Sequence, residues 1–122
     1  MASKAKKLSF AKLREVCAAM PAATEDVKWG ADLVYSIGGK MFAVTGLEVD
    51  SKFAFKVEDD RFLELTDIPG IAPSPYLARM KWVQIAPDCA LSQEDAAALV
   101  RRSYELVFAK LTKKLQREIS GG

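Results

Sequence analysis

Apolar residues between Ser9 and Pro21 recur at positions i, i+3, i+4 and i+7, the spacing of one helix face. The pattern predicts a helix over residues 10–20, which Ser9 caps and Pro21 ends. Its predicted buried face consists of Leu13, Val16, Cys17 and Met20.

Apolar and polar residues then alternate, which is typical of β-strands. The alternation predicts four strands, over residues 26–30, 32–37, 40–45 and 52–57. Gly38-Gly39 favours a tight hairpin, because glycine enters positive φ at both turn positions without steric cost. In the fourth strand, Phe53, Phe55 and Val57 share the face expected in the core, and the other face is expected to meet water.

A second helical segment follows the strands. The acids at 58–60 could hold a cation, but they suit better the N-terminus of a short helix over 59–66, where the helix dipole favours negative charge. Three prolines within residues 69–75 predict an extended loop without regular structure. One helical turn over 76–80 and a fifth strand over 81–86 complete this part.

The last helix is predicted to begin after Ser92 and to run to about Leu115. Its apolar stripe is Val100, Tyr104, Val107, Leu111 and Leu115. The element order predicts an α+β, two-layer domain: an antiparallel five-stranded sheet packed with N-terminal, short middle and long C-terminal helices. Residues 1–8 are predicted to be a disordered basic tail, and residues 9–118 a single domain.

The composition is that of one globular domain, with 122 residues, 50% of them hydrophobic and 28% charged. No apolar run approaches the ~20 residues of a membrane helix. The N-terminal segment lacks the apolar centre of a signal peptide, because Lys12, Arg14 and Glu15 interrupt it. We therefore expect a cytoplasmic protein.

The residue inventory argues against common kinds of catalysis. The chain has no histidine, the most frequent general base and metal ligand, and it lacks phosphate-binding and nucleophile motifs. Cys17 is expected to be a small buried hydrophobe, and Cys89 an incidental free thiol in a loop. We expect no enzyme activity, no cofactor and no metal.

Five ordered segments resemble the MmcQ/YjbR-like family over about residues 9–115. They are Leu33-Val-Tyr-Ser-Ile-Gly-Gly-Lys-Met-Phe-Ala43, Phe55-Lys-Val57, Pro69-Gly-Ile-Ala-Pro73, Lys81-Trp-Val83 and Arg102-Ser-Tyr-Glu-Leu-Val107. The resemblance implies a compact α/β domain with frataxin-like or secretion-chaperone-like topology, and DNA binding through a double wing of β-hairpins. The loop at 76–80 departs from the family pattern, because it lacks a histidine and has fewer basic residues.

Charge is concentrated at the chain ends, although the net charge is only +2. Residues 1–14 hold five basic and no acidic residues, residues 15–100 seven basic and fourteen acidic, and residues 101–122 six basic and two acidic. Counted at 100° per residue, four basic residues of the last helix fall within one sector of roughly 80°. Such a stripe either faces phosphate or is a solvated rim.

The leading hypothesis is a DNA-binding domain with low sequence specificity. Its candidate contacts are Lys40, Lys52, Lys56, Arg79, Lys81, Trp82, Arg102, Lys110, Lys113 and Arg117. Trp82, or less favourably Trp29, could stack on exposed bases, although tryptophan in a small domain is more often core. The acidic second hairpin, 46–51, counts against a double wing.

Two alternatives remain open. One is a protein-interaction or chaperone-like module, either monomeric or homodimeric, suggested by Leu99 and Leu106 among the basic residues of the last helix. The other is an enzyme or small-ligand binder that works with Asp, Glu, Lys or Tyr alone.

Overall fold

A computed structural model of the protein describes residues 8–30, 32–47, 52–75 and 77–121. Within these ranges the chain forms an antiparallel sheet packed against helices, the general class expected from the sequence. The strands are β1 (Thr24–Lys28), β2 (Asp32–Ile37), β3 (Lys40–Gly46), β4 (Phe53–Lys56), β5 (Ile71–Pro73) and β6 (Trp82–Ile85). The helices are α1 (Phe10–Ala18), α2 (Phe62–Thr66), α3 (Gln93–Phe108) and α4 (Lys113–Ile119).

The strand order across the sheet is β1-β2-β3-β4-β6-β5, and every neighbouring pair is antiparallel. The first four strands form a meander in chain order. Gly38 and Gly39 join β2 to β3 with φ of 58° and 84°, the two positive values that the predicted tight turn requires. The hairpin prediction is therefore confirmed.

The sheet has six strands among the described residues, not the five predicted. The additional strand, β5, lies within the proline-rich segment that was expected to be an irregular loop. Pro73 pairs with Val83 at the outer edge of the sheet. Proline is tolerated on an edge strand because only one side of that strand needs hydrogen-bond donors.

The helix-covered face of the sheet carries the main core. Phe53, Phe55 and Val57 are buried there, as expected, together with Leu13 and Cys17 of α1 and the buried side of α3. The other face of the sheet was expected to meet water, but it is not uniformly exposed to solvent. A second apolar cluster covers its centre: Val34, Val44, Ala54 and Trp82, with Met41 and Leu77 packed against them.

The main differences from the predicted boundaries are in β1 and in the last helix. β1 begins earlier and ends at Lys28, so that Trp29 leaves the strand with a φ of 55°. The last predicted helix is two helices, because α3 ends at Phe108 and Thr112 caps a new helix through the backbone N–H of Leu115. The side-chain amide of Gln116 in α4 donates to the carbonyls of Phe108, the last residue of α3, and of Leu111 in the connection between the two helices.

The predicted caps and tail can be compared with the structure residue by residue. Ser9 accepts from the N–H of Lys12, and Ser92 accepts from the N–H of Asp95, which confirms both N-caps. Residues 1–7 of the predicted tail lie outside the described residues. Leu8 does not belong to a tail, because it is buried and its N–H donates to the carbonyl of Pro87.

Candidate nucleic-acid interface

Antiparallel pairing brings three of the candidate lysines to one end of the sheet. Lys40 opens β3 directly after the glycine turn, and Lys56 closes β4. Lys56 pairs with Trp82, so Lys81 stands just before β6 at the same end. Residues far apart in the sequence therefore converge because successive strands run in opposite directions.

The C-terminal end of α3 reaches this end of the sheet as well. Gly38 lies so close to Leu111 that a Cβ on the glycine would come within 2.9 Å of the leucine side chain. Lys110 and Lys113 flank this contact along the chain, and Arg79 lies in the 3-10 turn Ala78–Met80 that leads into β6. We call this group of six cations the basic end: Lys40, Lys56, Arg79, Lys81, Lys110 and Lys113.

Burial and neighbouring charges together affect the pKa of Lys56. Partial burial lowers the pKa of Lys56, and the positive charges of Lys110 and Lys81 lower it further, whereas Asp59 acts in the opposite direction. The Lys56 ammonium donates to the carbonyl of Met80 at 2.7 Å. This contact holds the lysine in place beside the other cations.

Lys81 is also fixed by its surroundings. Its backbone has the left-handed conformation, with a φ of 65°, and its ammonium lies 5.4 Å from the centre of the Phe62 ring. That distance is within the range of a cation–π contact. The basic end therefore contains two cations with defined positions, which lowers the entropy cost of binding an anion.

Two other candidate phosphate contacts, Lys52 and Arg102, are already paired with carboxylates. Lys52 lies at the opposite end of the sheet and forms an ion pair with Asp32 at 3.2 Å. Arg102 is paired with Glu58 at 2.9 Å and with Glu105 at 2.8 Å. These carboxylates raise the pKa of Arg102, and they already occupy its guanidinium.

Two features of the predicted interface are wrong. Arg102, Lys110, Lys113 and Arg117 do not form one helical stripe, because the helix breaks after Phe108 and the last two residues belong to α4. Trp82 is only 5% exposed and belongs to the apolar cluster, so it offers no platform for a base. Trp29 is the exposed tryptophan, but it lies at the far end of β1.

The two hairpin turns point to opposite ends of the sheet. The first, at Gly38–Gly39, belongs to the basic end and packs beside Leu111. The second joins β3 to β4 at the end where Lys52 meets Asp32, and its residues 48–51 lie outside the described part. One nucleic-acid strand across the basic end would therefore meet the first turn and not the second.

Two cavities lie away from the basic end. An open crease of about 660 Å³ between α1 and α3 has Lys12, Glu15, Glu94 and Arg101 on its rim, and all four are exposed. A bowl of about 570 Å³ on the helix-free face has an apolar floor of Val44 and Ala54. The sequence did not indicate this bowl, because Trp29 and Leu77, which form part of its wall, come together only through the fold.

The cysteines and acids complete the inventory of reactive groups. Both cysteines are free and buried, and Cys89 lies in the loop after β6, as expected. Burial and the nearby negative charge of Glu25 raise the pKa of Cys17 to about 12.

Across the described ranges, no three Cys, Asp or Glu side chains are grouped closely enough to hold a metal ion. None of the described helices has the length and apolar character needed to cross a bilayer.

The antiparallel sheet with helices on one face makes this an α+β domain, and the basic end lies at one end of that sheet. A family model described as YjbR matches residues 18–106. The chain therefore belongs to the YjbR family, as the resemblance implied.

Solved structures agree with this assignment. The chain is similar to protein DR2400 of Deinococcus radiodurans, which carries a DUF419 domain of the same family: the TM-score is 0.82 at 28% identity, covering 98% of this chain and 92% of that protein. A protein from Pseudomonas syringae has the same fold, with a TM-score of 0.66 at 16% identity over 80% of this chain and 97% of that one. A search among curated proteins finds no match.

Proposed function

We propose that this YjbR protein binds double-stranded DNA through the basic end, with low sequence specificity and without catalysing a reaction. The observation that carries the proposal is the convergence of Lys40, Lys56 and Lys81 with Lys110 at one end of the sheet. Cations gathered on one surface attract a polyanion and release its condensed counterions when it binds.

The proposed contact is mainly to phosphate. Lysines read charge rather than base edges, and the basic end contains only one arginine, Arg79. The slim Gly38–Gly39 turn, with Lys40 beside it, is narrow enough to approach a groove. The paired guanidinium of Arg102 and the ion pair of Lys52 are left out of this interface.

A salt-dependent titration tests the proposal. Four or five phosphate contacts predict that affinity for a labelled duplex falls by about two orders of magnitude between 50 and 200 mM salt, with a logarithmic slope near −4. Fluorescence anisotropy at several salt concentrations measures this slope. Absence of binding at low salt, or micromolar binding that does not respond to salt, would refute the proposal.

Two double variants separate a local interface from general attraction by net charge. Lys110→Gln with Lys113→Gln removes two charges from the basic end, and Lys12→Gln with Arg101→Gln removes two exposed charges from the crease between α1 and α3. The first pair should reduce the magnitude of the slope by about 2, and the second should leave it unchanged. Equal effects of both pairs would show that binding does not occur at the basic end.

A further inference from the structure

Among the described residues, no strand pairs with the outer side of β1. β1 is the terminal strand of the sheet, and all five of its residues are exposed. Val27 is 57% exposed and the adjacent Trp29 is 68% exposed. Leu47 is exposed at the same corner, because Lys28 pairs with Asp32 and Asp32 pairs with Gly46. Within the described residues, three of the five exposed large apolar side chains therefore lie at this corner.

We propose that two copies of this chain join edge to edge, β1 against β1, as an antiparallel pair around a two-fold axis through Val27. The join makes one continuous sheet of twelve strands, because each copy contributes its six-stranded sheet. An exposed edge offers backbone N–H and C=O groups that pair with another strand. The proposal does not depend on DNA binding.

The charges of β1 select this register. In a two-fold antiparallel pair, the residue on the axis faces its own copy, and residues at equal distances on either side face each other. An axis at Glu25, Asp26 or Lys28 would set two like charges opposite each other, which is destabilising. An axis at Thr24 would leave the apolar Val27 uncovered.

A two-fold axis at Val27 sets opposite charges, and no like charges, across from each other. Val27 then faces Val27, and Asp26 of each copy faces Lys28 of the other, so that two pairs of opposite charges flank an apolar centre. Charges on an edge strand usually discourage pairing. Here their order makes the edge complementary to itself in one register.

The surroundings of Val27 agree with this arrangement. Val27 pairs with Leu33 of β2, which is buried in the main core. Covering Val27 with its own copy therefore extends the apolar layer across the join. The pairing ends at Lys28, since the positive φ of Trp29 turns the chain out of the strand. Three residue pairs make a small interface, so we expect association in the range of tens to hundreds of micromolar.

Sedimentation equilibrium of the full chain from 5 to 500 μM tests the proposal. We expect the mass to rise from 13.4 kDa towards twice that value. Asp26→Lys and Lys28→Asp, each alone, set like charges across the join and should weaken association at least tenfold. The combined variant restores opposite charges and should restore association. Asp67→Lys, at an exposed site far from β1, is the matched control and should have no effect.

A cross-linking experiment reports the register directly. Val27→Cys should form a disulfide-linked dimer with copper phenanthroline as oxidant, and Thr24→Cys should not, because only the residue on the axis meets its own copy. Both native cysteines are buried and do not compete. A monomer at 500 μM, association that the single charge changes do not alter, or a combined variant that does not recover would each overturn the proposal.

Discussion

Packing leaves no room for a side chain at Gly70. Its φ is 90°, and a Cβ built on it would lie 2.3 Å from the Cβ and 2.4 Å from the Cα of Cys89. The neighbouring segment cannot easily move away, because the N–H of Ala86 donates to the carbonyl of Gly70 and the N–H of Ala90 donates to that of Pro69. Glycine is therefore required here for space as well as for conformation.

Gly70→Ala is expected to be strongly destabilising. Gly39→Ala is the matched control, because Gly39 also has a positive φ but a methyl group added to it would point into open space. The control should lose about 1 kcal/mol from backbone strain alone. Gly70→Ala should lose a further 1–3 kcal/mol, roughly the cost of overpacking. Urea denaturation measures both variants, and equal losses would show that the clash is relieved.

At the scale of elements, a bulge in β3 is stabilised by a hydroxyl of α3. Tyr35 pairs with Ala43 and Ser36 with Met41, so Phe42 is an extra residue in the ladder. The Ser103 hydroxyl donates to the carbonyl of Phe42 at 2.7 Å and accepts from the N–H of Lys56 at 3.0 Å. One side chain thus satisfies two backbone groups next to the irregularity and joins α3 to β3 and β4.

Removing this hydroxyl should cost more than removing an exposed one. Ser103→Ala leaves a buried carbonyl and a partly buried N–H without their partner, at a cost of about 2–3 kcal/mol. Ser92→Ala deletes the same group at the exposed N-cap of α3 and should cost about 1 kcal/mol. Chemical denaturation compares the two. A loss no greater for Ser103→Ala than for Ser92→Ala would mean that water replaces the hydroxyl.

Local signals account for the elements that could be predicted from the sequence. The Ser9 and Ser92 caps and the Gly38–Gly39 turn are encoded by neighbouring residues, and the structure confirms them. β5 could not be predicted in this way, because Pro73 disfavours a strand locally and is tolerated only where the fold provides an edge. The exposure of Trp29 likewise depends on the edge position of β1.

The candidate site shows the same distinction. The lysines of the basic end could be named from the sequence, but the interpretation of Arg102 depended on a continuous helix that ends at Phe108. Nothing in the sequence around Glu58 or Glu105 indicates that these carboxylates form ion pairs with Arg102. Leu99, which suggested an interaction surface, is instead buried in the core, and Leu106 is half-buried. The charge pattern of the sequence therefore pointed to lysine and arginine as candidate phosphate contacts, but it did not show which of them are already paired with carboxylates in the fold.

The whole molecule has a charge axis along α3. Glu94 and Asp95 lie in the first turn of this helix, and Lys110 follows its C-terminal end. This order complements the helix dipole, which favours acids at the N-terminus and bases at the C-terminus. Glu94 and Asp95 lie at the opposite end of α3 from Lys110, so we expect the end of the helix next to Lys110 to approach phosphate.

Burial also changes how the whole molecule responds to alkaline pH. It raises the pKa of two thiols and two phenols: Cys17, Cys89, Tyr35 and Tyr104. Each group stays protonated in the folded state at a pH where it already ionises in the unfolded chain. The stability that they contribute is therefore complete below the unfolded pKa and is lost as pH rises towards the folded pKa.

The thiol of Cys17 gives this behaviour a measurable signature. Its pKa is about 12 in the fold against an ordinary value of 9.0, so it should lower the free energy of unfolding by about 1.4 kcal/mol per pH unit within that window. Urea denaturation between pH 7 and 11.5 under reducing conditions should show wild-type stability falling above pH 9. Cys17→Ala should fall less steeply by that amount, because alanine does not titrate. Val16→Ala, a non-titrating deletion in the same helix, should run parallel to the wild type; a Cys17→Ala curve that also ran parallel would show that the thiol ionises equally in both states.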